Sequence, residues 1–287
     1  MRGTPAGSAG PVPVRDLPAG LCRRLSHFFT DIDDTLTSNG MIPAASYAAL
    51  WDLASAGIRV VTVTGRPAGW CDHIARMWPV AGVVGENGAF YYAYDHARKR
   101  MNRGLSDPGL GDPARHEALG AIARRVLEEV PGTALAADQA FRLSDFAIDY
   151  CEDVPPLPPE RLDDICRILE EAGVQFKVSS IHVNFWMGRF DKMSGVRRFL
   201  SEEEGSSLQS VEDTAVFIGD SPNDEPLFAL FPHSVAVGNL RRFLPRLSSL
   251  PEYITQADSA EGFQEAVRVI LAKRMAPSTT DAPGCTP

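Results

Sequence analysis

Apolar positions along the chain fall into two alternating textures. Ile58 to Thr64 is almost continuously apolar and β-branched, as strands buried on both faces are. Just before it, Tyr47, Leu50, Trp51 and Ala54 recur at helical spacing behind Pro43, and Gly57 closes that helix. A helix from about Ala68 to Trp78 follows, then a third strand over Val80 to Val84, which ends in Gly85-Glu86-Asn87-Gly88-Ala89. Upstream, His27-Phe28-Phe29-Thr30 forms a first strand that runs into Asp31-Ile32-Asp33-Asp34-Thr35. This succession of strands and helices predicts an α/β fold around an open sheet.

The texture changes after Ala89. Phe90 to Tyr94 and Lys99 to Asn102 read as a hairpin. Helices are expected over about Pro113–Val130 and Glu160–Ala172, with strands around Phe141–Tyr150 and within Gln175–Trp186. Residues 90–187 are therefore read as a small α+β domain inserted into the first, with Tyr91, Tyr92 and Tyr94 as hinge and cap packing. The original pattern resumes with a helix from Lys192 to Glu204, whose acidic end Glu202-Glu203-Glu204 reads as solvated. A strand at Thr214–Ile218 ends in Gly219-Asp220-Ser221-Pro222-Asn223-Asp224, and a last helix runs from Ala260 to about Lys273. The main domain is thus expected over 21–89 and 188–275. The Gly-, Pro- and Ala-rich residues 1–20 and the tail 276–287 are expected to be disordered.

Composition narrows the class. A net charge of −9 argues against a nucleic-acid or anionic-membrane binder. No apolar run reaches membrane-spanning length. The five cysteines are scattered, without a Cys-x-x-Cys pair, which suggests reduced thiols in a cytoplasmic protein.

The acidic stretches change the picture most. A strand ending in Asp-x-Asp delivers Asp31 and Asp33 to one side, at the carboxyl edge where open sheets bind ligands. Asp220 and Asp224 follow another strand, Thr64 ends a third, and Lys192 opens a helix. These residue types suit phosphoryl transfer. One carboxylate can attack phosphorus and a second can act as general acid and base. Mg2+ can join an anionic nucleophile to an anionic phosphate, while a hydroxyl and an ammonium hold the phosphate oxygens.

Asp31-Ile32-Asp33-Asp34-Thr35, Val61-Thr62-Val63-Thr64, Lys192 and Gly219-Asp220-x-x-Asn223-Asp224 together resemble, in order and spacing, the four motifs of the haloacid dehalogenase superfamily. Thr64-Gly65-Arg66 and Glu86-Asn87-Gly88-Ala89 are similar to its Cof-like and sucrose-phosphatase-like branch, whose larger cap is inserted between the second and third motifs. The resemblance implies a doubly wound, Rossmann-like core with an α/β cap. It implies Asp31 as nucleophile and Mg2+ ligand, Asp33 as general acid/base with its backbone carbonyl on the metal, and Asp220 and Asp224 as the remaining metal residues. Thr64, Gly65, Lys192 and Asn223 would bind phosphate. Arg66, Asn87, His182 and Asn184 are candidate substrate contacts. Asp34 stands where many members carry Gly, and its side chain is expected to turn toward a neighbouring backbone N–H. The implied activity is Mg2+-dependent hydrolysis of a small phosphorylated metabolite, a sugar phosphate or glycosyl-phosphoglycerate. Phosphosugar mutase and non-catalytic binding of a phosphometabolite are the alternatives.

Overall fold

In a computed structural model the described residues are 10–179 and 181–276. The chain runs through β1 (Val12–Pro13), α1 (Ala19–Arg24), β2 (His27–Thr30), α2 (Ala44–Ser55), β3 (Arg59–Val63), α3 (Ala68–Met77), β4 (Gly82–Gly85), β5 (Phe90–Asp95) and β6 (Arg100–Leu105). It continues through α4 (Pro113–Glu129), β7 (Ala134–Leu135), β8 (Asp145–Asp149), α5 (Pro159–Glu171), β9 (Gln175–Val178), β10 (His182–Trp186), α6 (Lys192–Glu202) and α7 (Leu208–Val211). The last elements are β11 (Ala215–Gly219), α8 (Glu225–Leu230), β12 (Ser234–Ala236), β13 (Tyr253–Ile254) and α9 (Ser259–Met275).

A nine-stranded sheet has the order β1-β13-β12-β11-β2-β3-β4-β5-β6. Its neighbours are parallel from β1 to β4, and the β5–β6 hairpin adds two antiparallel strands. Strand β2 sits in the middle because its side chains are apolar on both faces. Phe28 meets Phe263 of α9 edge-on at 5.9 Å, and Phe29 packs on Phe231 at 5.1 Å from the other side. Helices α1, α2, α3 and α9 cover one face of the sheet, and α6, α7 and α8 cover the other. The order reverses at β2: the chain goes from β2 to β3 on one side and returns as β11 on the other. That reversal opens a crevice at the carboxyl ends of β2, β3 and β11.

The second sheet is antiparallel, in the order β7-β8-β10-β9. Its alternation separates two faces. Phe146, Ile148, Val183 and Phe185 pack with Leu119, Val126, Ile165 and Leu169 of α4 and α5 into a core of their own. The alternate positions, Asp145, Asp149, His182 and Asn184, are polar yet buried. They look toward the carboxyl edge of the large sheet.

Three expectations are corrected. The Phe90–Asp95 and Arg100–Leu105 hairpin pairs with β4 and belongs to the large sheet, so that sheet extends past residue 89. Tyr91 accordingly packs on Phe199 of α6. Residues 12–20 are ordered despite their composition. Val12 and Pro13 pair with Tyr253 and Ile254, and Val14 and Leu17 are fully buried. Met1–Ala9 and residues 277–287 lie outside the described residues. Finally, Glu204 is not solvated. It accepts hydrogen bonds of 2.6 Å from both His27 Nε2 and Arg59 Nε, at the amino ends of β2 and β3.

Two outcomes test this description. Leu17→Ala leaves a cavity beneath the first helix and is expected to lower unfolding free energy by about 2–4 kcal/mol in denaturant titration. Burial alone would raise the Glu204 carboxyl, but the His27 and Arg59 hydrogen bonds hold it below its ordinary 4.5. The stability from this cluster is therefore complete above that pH and lost as the pH falls below it. Glu204→Gln should flatten the acid limb of a stability-versus-pH curve.

Candidate active site

Asp31 is the first residue beyond β2, and its N–H donates to Ile218 O of β11 at 3.0 Å, so the two central strand ends are tied together. Asp33 lies two residues on. Asp34 turns the chain away with φ at 54°, in the left-handed region where a glycine or a short polar residue is tolerated. This backbone conformation admits Asp at the position where the family resemblance implies Gly in many members. Its own N–H donates to Thr37 Oγ1 at 3.0 Å. Among the described residues its carboxylate has no hydrogen bond, so the expected turn onto a backbone N–H is not formed. Asp220 follows β11, and Asp224 lies in the short turn after it.

Two close approaches aim these groups. Gly88 (φ +100°) faces the start of α6, where an added methyl would lie 1.9 Å from Asp191 O. This contact seats Lys192, at the first turn of a helix capped by Asp191 and Ser194, over the strand ends. At Gly219 a methyl would lie 2.4 Å from Asp224 Oδ2. Without one, that oxygen reaches the N–H groups of Asp220 at 3.1 Å and Ser221 at 3.4 Å.

Lys192 Nζ lies 2.7 Å from Asp31 Oδ1 and 2.7 Å from Asp224 Oδ1. Asp31, Asp220 and Asp224 each present an oxygen within 4.8 Å of the others. The four side chains are buried. Three carboxylates thus share one ammonium away from water. Burial pushes Asp31 up to about 8, reinforced by Asp224 and Asp33 and opposed by Lys192. Burial, then Asp31 and Asp224, holds Asp220 well above the usual carboxylate range. Burial works against the charge on Lys192, yet Asp224 and Asp31 raise it above the ordinary lysine value. Such a donor set, hard oxygens with surplus negative charge, could hold a divalent cation. Both Asp224 oxygens are already engaged, so Asp224 fixes Lys192 and the Asp220 turn, while Asp31 and Asp220 keep an oxygen without a protein partner among the described residues.

Asp33 faces the same space but has a different partner. Arg66 Nε reaches both of its oxygens, at 3.0 and 3.1 Å, and Nη2 reaches Oδ1 at 2.8 Å. Thr64 is buried, and its Oγ1 accepts from the Arg66 N–H at 3.0 Å. Gly65, Arg66, His182, Asn184 and Asn223 line one narrow cleft with Asp31, Asp33 and Asp220. Lys192, Thr64 and Asp224 lie behind it. Asn87 does not line it. Asn87 sits at φ 56°, donates its N–H to Thr64 O, and packs its buried amide against Gly65.

Sequence reasoning missed several groups that complete the site. Asn239 Nδ2 donates to Asp220 Oδ2 at 3.1 Å and steadies that carboxylate. Glu86, fully buried, crosses from the large sheet to the small one. It accepts from Leu143 N at 2.8 Å, Ser144 N at 2.7 Å and Ser144 Oγ at 2.6 Å. Burial and nearby Asp145 push it up to about 7, against those hydrogen bonds. Arg142 donates to Gly65 O at 3.1 Å and to Asp145, which also accepts from Asn184 at 2.9 Å. Glu152 accepts from Arg66 Nη2 at 2.9 Å and lies 2.9 Å from His182 Nε2. Glu86, inside Glu-Asn-Gly-Ala, carried a local signal; the others did not.

With this geometry established, similarity to known proteins can be placed. A family model of haloacid dehalogenase-like hydrolases matches residues 28–106, the segment that holds Asp31, Asp33 and Thr64. A phosphoglycolate phosphatase from Methanothermobacter thermautotrophicus is 27% identical over 242 residues, spanning 83% of this chain and 95% of the relative. A crystal structure from Thermoplasma acidophilum superposes with a TM-score of 0.65 at 16% identity, over 86% of this chain and 98% of that one. The sucrose-phosphatase of Synechocystis, solved with sucrose and phosphate, gives 0.58 at 18% identity over 86% and 98%. These two structural likenesses are likenesses of fold. Over residues 28–106 the chain is thus similar to haloacid dehalogenase-like hydrolases, and the curated relative that it matches over most of its length is a phosphatase.

Proposed function

We propose that this protein hydrolyses a small phosphomonoester through an aspartyl-phosphate on Asp31, with Mg2+ as its metal. One observation carries the reading: Asp31, Asp220, Asp224 and Lys192 converge from three separate chain segments into one buried cluster, beside Asp33 and open to the cleft. Binding alone would not call for Asp33, a second carboxylate at the cleft wall beside the nucleophile.

Asp31 would attack phosphorus while Asp33 gives a proton to the departing oxygen. In the second half Asp33 would take a proton from water, whose oxygen attacks the same phosphorus and frees Asp31 and inorganic phosphate. Lys192 draws the Asp31 carboxyl down against burial and orients it, and together with Thr64, Gly65 and Asn223 it would hold the transferring phosphate oxygens. A bound Mg2+ would offset the surplus charge of Asp31 and Asp220 and withdraw charge from the phosphate. The backbone carbonyl of Asp33 is the further ligand that the family resemblance supplies. The second sheet roofs the cleft and excludes water from it. Its polar face, with His182 and Asn184, would read the rest of the substrate. The phosphoglycolate and sucrose phosphatases among the similar proteins support a short polar metabolite, and a sugar phosphate remains our preferred substrate class.

A phosphatase screen over phosphorylated metabolites, phosphoglycolate and sugar phosphates included, tests this directly. Asp31→Asn should cut turnover by about 10³-fold or more without loss of fold by circular dichroism. Chelation should abolish activity and added Mg2+ should restore it. Full turnover in Asp31→Asn, or in chelator, would refute the mechanism.

A further inference from the structure

Arg66 ties Asp33 to the roof of the cleft. The guanidinium lies over the Trp70 ring, 4.4 Å from its centroid, and makes a three-bond fork on Asp33. Its Nη2 also donates to Glu152 Oε1 at 2.9 Å, and Nη1 lies 3.6 Å from Asp138 Oδ2. Both acids belong to the segment that carries the second sheet, whereas Arg66 and Asp33 belong to the large one. Glu152 is itself held through its backbone and approached by a buried imidazole. Its other oxygen is 2.9 Å from His182 Nε2 on β10. Its backbone is fixed by Asp149 at the end of β8, which accepts from Cys151 N at 2.9 Å, Glu152 N at 2.8 Å and Asp153 N at 2.8 Å. A buried carboxylate that organises three successive N–H groups makes this loop rigid and fixes where Glu152 points.

We propose that Glu152 is a positioning residue for the acid/base step: by anchoring Arg66 from the roof, it sets the orientation of the Asp33 carboxylate over the scissile oxygen. Arg66 has a long, flexible stem, and its fork is specific only while its remaining donors are fixed. Asp149 fixes Glu152, Glu152 fixes Arg66, and Arg66 fixes Asp33. Seating the second sheet on the first therefore completes the alignment of the acid, which Trp70 supports from the large sheet's side. This inference rests on the phosphatase reading above.

The test uses two esters of similar size and unequal leaving groups, phenyl phosphate and p-nitrophenyl phosphate, each with Mg2+. Phenolate leaves poorly and depends on Asp33 for a proton; p-nitrophenolate leaves well without one. Glu152→Ala is expected to lower kcat/KM for phenyl phosphate about tenfold and for p-nitrophenyl phosphate by less than about twofold. Glu152→Gln, which keeps a carbonyl acceptor for Arg66, is expected to fall between Glu152→Ala and wild type on phenyl phosphate. A fault in folding, in roof closure or in phosphate binding would lower both esters by the same factor, and that result, or no loss on either, overturns the role given to Glu152. Wild-type protein inactive on both esters and on every phosphorylated metabolite of the screen above would refute the phosphatase reading itself, a distinct result.

Discussion

Surplus negative charge at the carboxyl edge of the sheet constrains everything around it. Asp31, Asp220 and Asp224 are drawn together out of water, and one ammonium cannot neutralise them. A buried group of this kind is costly unless its oxygens find partners, and among the described residues all but one oxygen of Asp31 and one of Asp220 have a protein partner. The fold provides those partners from far apart in the chain. Lys192 comes from α6, Asn239 from the turn after β12, and backbone N–H groups from the loop after β11. The close contact at Gly88 and the missing methyl at Gly219 exist to let these groups meet. The stability that the large sheet gains from its two apolar faces is what holds so unfavourable a charge arrangement in place.

The roof follows a related logic. Its outer face is an ordinary apolar sheet-and-helix core, but the face toward the cleft buries Asp145, Asp149, His182 and Asn184. Asp145 accepts from Arg142 and Asn184, Asp149 accepts from the N–H groups of its own loop, and neighbouring groups reach the large sheet through Arg142 to Gly65, Ser144 to Glu86 and Glu152 to Arg66. Polar bonds cross the junction beside apolar contact, in which Trp186 of β10 and Leu143 pack with the core of the large sheet. The polar bonds are of a kind that exchanges readily with water.

What the sequence made legible was whatever is encoded locally. Period-two and period-3.6 patterns located β2, β3, β4, α2 and α6, and the acidic motifs at strand ends pointed to Asp31, Asp33, Asp220 and Asp224 before any coordinates. Composition misled where a few anchoring residues outweigh many neutral ones. Val14 and Leu17 order a stretch that reads as linker because only they are buried in it. The β5–β6 hairpin has the same strand pattern whichever sheet it joins, and pairing with β4 is a long-range choice. Glu204 looked solvated because its partners, His27 and Arg59, are 177 and 145 residues away. Glu152, Arg142 and Asn239 were invisible for the same reason.

The first and last described elements of the chain meet. Lys273 of α9 donates to the carbonyls of Arg15 and Leu17, and Arg274 to those of Cys22, Arg23, Leu25 and Ala56. β1 completes the sheet edge beside β13, its partner some 240 positions later. A ribosome releases such a chain in an awkward order. The roof, whose contacts are local, can assemble during translation, while β2 and β3 must wait for β11 and α9 to emerge. Until then part of their apolar flanks stays uncovered, so the last-made helix closes the core that the first strands begin.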